Sequence, residues 1–375
     1  MSDTAAAVHD EERARAAIAG AERFLNAWHG TPPMRRRLDA LAAAVDDAER
    51  ADRYGEGERL GRLERRVAEL LGKETAVFMP SGTMAQQIAL RIWCERGARR
   101  TVAFHPTCHL ELHEEKGYER LHGLHGTLVG DPHRLIELGD LEALREPVAA
   151  LLLELPQREI GGLLPEWDDL ASQTGWAREH GVALHLDGAR LWEAQPFYGR
   201  PHAELAGLFD SVYVSFYKGL GGMAGAILAG DAEFVAEARV WQRRHGGTLV
   251  TVAPYVIAAE TALDERLERM PAYLEHARAL AAALATLDGV EVVPDPPQTP
   301  LFHIHLDGAR DALVDAALTV AEERKVFLFA DPSSTLTPGR QRHEAMVGEV
   351  TLQLSPDEVR DLYAEIVARA AAAAA

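Results

Sequence analysis

Two short apolar runs, each ending on a charged side chain, constrain what this chain can fold into. VALHLDGARLW holds a strand-like segment, Val182 to Leu186, that ends on Asp187 and then Arg190. SVYVSFYKGLGGMAG holds another, Ser211 to Ser215, which delivers Lys218 into a glycine-rich loop. A strand-end carboxylate and a strand-end lysine, one helix-length crossover apart, suggest a cofactor held between them. Pyridoxal 5'-phosphate (PLP) suits these two groups, with Lys218 as its Schiff-base partner. The competing reading is an ordinary α/β core with a loop lysine in water.

The neighbouring segments extend the pattern. Pro147 to Leu155 (PVAALLLEL) is almost wholly apolar, as a strand buried on both faces of a parallel sheet should be. Trp167 to His180 reads as a crossover helix leading into the Val182 strand, and strand, helix, strand at this rhythm predicts a doubly wound α/β domain. TAVFMPSGTMAQQIAL adds a strand over Thr75 to Met79, a small-residue turn and a helix from Met84. Free N–H groups of a first helical turn, together with the helix dipole, favour an anion such as a phosphate. Gly82 would let the backbone approach it and the Thr83 hydroxyl would add a bond, whereas a plain N-cap by Ser81 explains the same turn without a ligand. Ligands of such sheets gather at the carboxyl ends of the strands. Thr83, Gln157, Asp187 and Lys218 all fall just past predicted strand ends.

At 375 residues the chain exceeds the usual size of one core, so more than one domain is expected. The boundaries predicted are a helical segment over 1–50, a large α/β domain over 51–265 and a smaller α+β domain over 266–375. Helices are expected over Glu11 to Trp28, Met34 to Arg50, Glu58 to Leu71 and Tyr255 to Leu287. LFHIHL (Leu301 to Leu306) predicts a strand with one wet face, and Glu349 to Leu354 another strand before a closing helix from Pro356. A net charge of −19 without a basic run argues against nucleic acid and anionic membranes as partners. Two cysteines, Cys94 and Cys108, cannot build a disulfide framework, which points to a reducing cytoplasm. The charged N-terminus has no unbroken apolar core and does not read as a signal peptide, and no stretch approaches the ~18 apolar residues of a membrane span.

Five histidines crowd one segment: His105, His109, His113, His122 and His125. A shared helical face for the first three would invite a metal. Pro106 interrupts that helix, however, and no cysteine or carboxylate pattern completes a site, so no metal is expected. One imidazole stacked on a flat cofactor ring is the better functional reading.

With these motifs in place, the chain resembles the threonine aldolase and aromatic amino acid β-eliminating lyase family of fold-type-I PLP enzymes. The resemblance runs from about Tyr54 to Gly247. Its residues are Tyr54-Gly55-Glu56, Arg62-Leu63-Glu64, RRVAELLGKETAVFMPSGTMAQQIAL, His109 within CHLELHEE, Glu154 with Gly161-Gly162, HLDGARLW and YKGLGG. It implies a large doubly wound, mostly parallel sheet domain, a smaller C-terminal domain, and a homodimer or homotetramer acting on an amino acid. Lys218 would form the Schiff base and Asp187 would keep the pyridine nitrogen protonated. Ser81, Gly82 and Thr83 would hold the phosphate and His109 would stack on the ring. Glu154, Arg190 and Ser215 would complete the cofactor site. Breaking Cα–Cβ of a β-hydroxy amino acid would give glycine and an aldehyde, after a base takes the β-hydroxyl proton.

Departures from the family pattern cluster on the substrate side. An Asn-Thr-His run after the glutamate is replaced by Leu155-Pro156-Gln157, so Gln157 stands in a catalytic position without comparable basicity. Val250-Thr251 replaces an Arg-Gln pair, and Tyr217 precedes the lysine where serine is usual. The arginine that would meet the substrate carboxylate is absent from GEVTLQL, which leaves Arg340, Arg342 or Arg190 to substitute. Threonine-like aldol cleavage is therefore the leading expectation. The alternatives are β-elimination, transaldol or racemase chemistry on another amino acid, and a non-catalytic protein of the same fold, against which intact Lys218 and Asp187 argue.

Overall fold

The strands, in chain order, are β1 Arg23–Phe24, β2 Thr75–Met79, β3 Thr101–Phe104, β4 His125–Leu128, β5 Ala150–Glu154, β6 Ala183–Gly188, β7 Ser211–Ser215, β8 Ala226–Gly230, β9 Val290–Val293, β10 Leu301–Asp307, β11 Val326–Phe327, β12 Ser333–Ser334 and β13 Arg340–Met346. They are seen in a computed structural model that describes residues 2–30 and 32–374. Seven of them form one sheet in the order β2-β8-β7-β6-β5-β3-β4. β4, β3, β5, β6 and β7 run parallel. β8 runs antiparallel to both β7 and β2, so β2 points the same way as the parallel set. The inner strands β5, β7 and β8 are buried at every position, as apolar runs such as ALLLE require, while the edge strand β4 (HGTL) is largely exposed. This is the mostly parallel α/β sheet that the sequence predicts.

Helices cover the sheet with the stripes that their spacing dictates. Glu58–Leu70 buries Leu60, Leu63 and Val67 at three- and four-residue intervals. Gly82–Arg96 starts where Ser81 caps it, its Oγ accepting from the Met84 N–H at 3.3 Å. That helix packs Ala85, Ile88, Ala89 and Ile92 against Val77, Met79 and Phe234. The crossover between β5 and β6 is the helix Trp167–Glu179.

Two compact units divide the chain, Pro32–Arg269 and Met1–Thr31 with Met270–Ala375. The boundary expected after 265 falls at 269. The long helical run splits there into Ala253–Arg266 and Met270–Leu284 around a short 3-10 turn, and Pro271 opens the second helix. The first residues do not form a separate helical segment of 50 residues. Helix Ser2–Gly20 packs on Arg310–Arg324, with Arg13 bonded to Glu322 at 2.7 Å and Ala17 set against Val314, Leu318 and Phe327. β1 then pairs with β11, so the helix expected to reach Trp28 stops at Gly20. Likewise the helix from Met34 ends at Ala43 rather than Arg50, and Asp46 closes a turn by accepting from the Ala48 N–H.

The smaller unit holds the four-stranded antiparallel sheet β12-β13-β10-β9. Only His305 and Asp307 of β10 are not buried, so the wet face expected there is mostly covered, and His303 is buried. No strand forms over Glu349 to Leu354. Thr351 Oγ1 donates to the Gly348 carbonyl and accepts its N–H, and this closes a tight loop into a 3-10 turn over Thr351–Gln353. The second strand is β13, just upstream. Among the described residues no helix is long and apolar enough to cross a membrane.

Candidate active site

Parallel strands bring their carboxyl ends to one side of the large sheet, and the functional side chains follow from that polarity. β6 carries His185 and Asp187 two residues apart, hence on one face. Asp187 is 1 % exposed. Its Oδ1 accepts from the Ala189 N–H at 3.0 Å and its Oδ2 accepts from the Gln86 side-chain amide. Glu154, the last residue of β5, is the register partner of Asp187. Lys218 stands three residues past β7, where the loop turns.

Burial shapes the charges. It raises both Asp187 and Glu154; the Asp187 charge raises Glu154 further, while Glu114 adds to the rise of Asp187 and His109 opposes it. Glu154 is satisfied as an acceptor by the N–H groups of His109 (3.1 Å) and Arg158 (3.3 Å) and by Gln157 Nε2 (3.3 Å). Lys218 is pushed down to about 8, first by burial and then by the charges of Arg190 and Arg158. A lysine so placed holds a far larger share of uncharged amine near neutral pH than an ordinary lysine, and that is the form that attacks a carbonyl. His109 Nδ1 meets Glu114 Oε1 at 3.0 Å, and that bond raises the imidazole. Glu114 is fixed in turn by Gln87 Nε2 at 3.1 Å.

Two glycines are required by close approach. A Cβ at Gly82 would lie 2.0 Å from the Tyr213 hydroxyl, and one at Gly219 would lie 2.4 Å from Glu193 Oε1. Glu193 is buried and accepts the Gly219 N–H at 3.0 Å, which ties down the loop just after Lys218.

The donor set fits PLP. Ser81 occupies the Met84 N–H, and the Gly82 and Thr83 amides open the helix, where a first turn has no internal acceptors to offer. Thr83 is exposed there. A buried carboxylate, a depressed lysine, a helix start that opens on the Gly82 and Thr83 amides, and an imidazole therefore lie at one end of the sheet. They match a cofactor's ring nitrogen, aldehyde, phosphate and ring face.

The remaining sequence candidates divide. Arg190 is buried, caps the helix Leu191–Tyr198, and bears electrostatically on both Glu154 and Lys218. Gln157 is buried against Glu154 and, at 3.4 Å, Thr107. Ser215 faces the Tyr217 N–H at 3.3 Å while its carbonyl takes the Trp192 indole. Arg340 and Arg342 lie on β13 of the other unit, where Arg340 is held by Asp307 at 2.7 Å and by Glu291. His105, His109 and His113 share no helix: His105 follows β3 and bonds the Asp131 and Arg134 carbonyls. Among the described residues no three His, Cys, Asp or Glu side chains gather as a metal would need. Sequence reasoning missed Gln86, His185, Glu114 and Glu193. The two-residue spacing of His185 and Asp187 in HLDG was the available signal for one of them.

The sequence profile of the β-eliminating lyase family matches residues 26–307. An Escherichia coli O157:H7 low specificity L-threonine aldolase is 33% identical over 251 residues, 64% of this chain and 72% of that one. Low-specificity L-threonine aldolase 1 of Arabidopsis thaliana is 29% identical over 315 residues, 80% of this chain and 87% of its own. Among solved structures, a Listeria monocytogenes protein provisionally assigned as an L-allo-threonine aldolase superposes with a TM-score of 0.91 at 38% identity, covering 96% of this chain and 99% of that one. An Exiguobacterium protein provisionally assigned as an aromatic amino acid β-eliminating lyase/threonine aldolase gives 0.90 at 42%, covering 95% and 99%.

Proposed function

The chain belongs to the β-eliminating lyase family, and from that membership we propose that it is a PLP-dependent aldehyde lyase of the threonine aldolase type. It would cleave the Cα–Cβ bond of a β-hydroxy-α-amino acid to glycine and an aldehyde. The observation that carries this reading is the pairing of fully buried Asp187 on β6 with depressed Lys218 just past the adjacent β7. Relatives named as threonine aldolases support the substrate class.

When bound, PLP supplies a conjugated electron sink for the electrons left when a bond at Cα breaks. The protein's own share is positioning and proton control. Asp187 would hold the ring nitrogen, the Gly82 and Thr83 amides the phosphate, and His109 the ring face. Arg190 and Arg158, whose charges both reach Lys218, are the cations within this unit that could receive a substrate carboxylate. His109, held by Glu114 at Nδ1, keeps its Nε2 for the substrate side. Gln157 cannot take a proton, and its bond to Glu154 fixes it as a hydrogen-bonding group. That substitution favours β-elimination as the second reading, since elimination needs no base at the β-hydroxyl.

Purified protein incubated with PLP should absorb in the ~410–430 nm band usual for a lysine-bound cofactor, lose that band as Lys218→Ala, and release acetaldehyde from L-threonine. Pyruvate or α-ketobutyrate without acetaldehyde, across a small amino-acid panel, would select elimination instead. No PLP uptake would sink both readings.

A further inference from the structure

Behind Asp187 runs a buried chain of hydrogen bonds that leads away from the cofactor end. Trp93 Nε1 donates to Ser211 Oγ at 2.7 Å, and Ser211 Oγ meets His185 Nδ1 at 2.8 Å. His185 Nε2 meets Gln86 Oε1 at 2.8 Å, and the Gln86 amide nitrogen donates to Asp187 Oδ2. Gln86 is 1 % exposed, and His185 and Ser211 are fully buried. Three elements supply the parts. Gln86 and Trp93 lie seven residues apart on the helix Gly82–Arg96, and His185 and Ser211 are register partners on β6 and β7.

The direction of the chain follows from its carboxylate end. An ionised Asp187 only accepts, so Gln86 turns its NH2 to Asp187 and its Oε1 to the histidine. Oε1 only accepts in turn, so a neutral His185 carries its proton on Nε2, and its Nδ1 takes the Ser211 hydroxyl hydrogen while that oxygen accepts the indole N–H. Burial holds His185 neutral, down to about 3, so the polarity persists across the working pH range. With Oδ1 taken by Ala189, the carboxylate is anchored on both oxygens from the protein side.

We propose that Gln86, oriented by the His185–Ser211–Trp93 chain, is a positioning residue that holds Asp187 ionised and aimed, and thereby sets the protonation of the cofactor's ring nitrogen. The inference rests on the PLP reading above. A charged hydrogen bond to Asp187 favours its ionised form over the neutral one that burial alone would impose. Turning Gln86 over would bring its carbonyl against the carboxylate and reverse the effect.

The probe is PLP labelled with 15N in the ring, loaded into the holoenzyme, with the ring-nitrogen chemical shift and the PLP release rate as readouts. Gln86→Met keeps volume but removes the donor. The ring-nitrogen signal should move towards neutral pyridine, and PLP affinity should fall on the order of tenfold, as for loss of one hydrogen bond to a charge. Ser211→Ala touches neither Asp187 nor the cofactor, yet frees His185 to take the proton on Nδ1 and lets Gln86 turn, so the signal should move in the same direction. Ser211→Ala also covers the case in which Gln86→Met does not fold. A folded, loaded variant of either kind with the wild-type nitrogen shift and release rate overturns the proposal. A wild-type protein that never takes up PLP refutes the cofactor reading instead.

Discussion

Glu154 and Asp187 face one another in register across β5 and β6, two buried carboxyls at the end of a parallel ladder. Both cannot ionise freely without a cation between them, so their protons are shared out by their partners. Asp187 takes the amide of Gln86 and the N–H of Ala189 and is the carboxylate suited to ionise. Glu154 is raised to about 8, by burial first and by Asp187 second.

The sign of the Glu154 effect is unusual for a carboxyl. In an unfolded chain it would titrate near 4.3, so between about 4.3 and about 8 the folded protein binds more protons. Stability of the cofactor-free protein should therefore fall as pH rises through that window. Glu154→Gln should remove this slope, so the difference between wild type and variant in urea melts should grow steadily in the variant's favour from about pH 5 to about pH 8. A pH-independent difference would refute it.

Lys218 costs the cofactor-free protein stability while it is charged. Its folded value of about 8 lies below the unfolded ~10.4, so the unfolded chain binds more protons between them and stability rises with pH over that window. Lys218→Met should raise the unfolding free energy of the cofactor-free protein at pH 7 by on the order of 1 kcal/mol after allowance for partial exposure, and this gain should vanish above about pH 10. Calorimetry on protein stripped of PLP measures both.

Gly219→Ala places a methyl 2.4 Å from Glu193 Oε1, and the buried glutamate has no open side to retreat to. Overpacking of this kind costs about 1–3 kcal/mol and displaces the loop that presents Lys218. Lower thermal stability and slower PLP incorporation are expected, and Glu193→Asp in the same chain should recover part of both by shortening the obstructing side chain. An unaltered melt and loading rate would contradict the close packing.

Arg158→Gln tests the carboxylate partner. Loss of one charged hydrogen bond to the substrate should raise KM for L-threonine roughly tenfold or more, with kcat changed little and the PLP absorbance intact. Unchanged KM would move the role to Arg190 or to another arginine.

Much of the cofactor end was legible because its signals are local. The strand over Ser211 to Ser215 and the strand–turn–helix at Ser81 stand where alternation, small residues and an N-cap put them. Errors came where local pattern competed with tertiary pairing. Glu349 to Leu354 has strand-like residues, but Thr351 binds Gly348 and the ladder to β10 is taken by Arg340–Met346. Helix Ser2–Gly20 joins the C-terminal residues through Arg13 and Ala17, contacts that span some three hundred positions and that no window of sequence contains.

Periodicity and glycine placement in the sequence alone determined the class of sheet, the two charged strand ends and the strand–turn–helix that opens at Ser81. Tertiary structure decided what those groups are chemically. Register across β5 and β6 set Glu154 against Asp187, and docking of one helix over β6 and β7 aligned Trp93, Ser211, His185 and Gln86 into a single polar chain. Acidity and bond direction depend on burial and on partners from distant segments, and those exist only once the chain has packed.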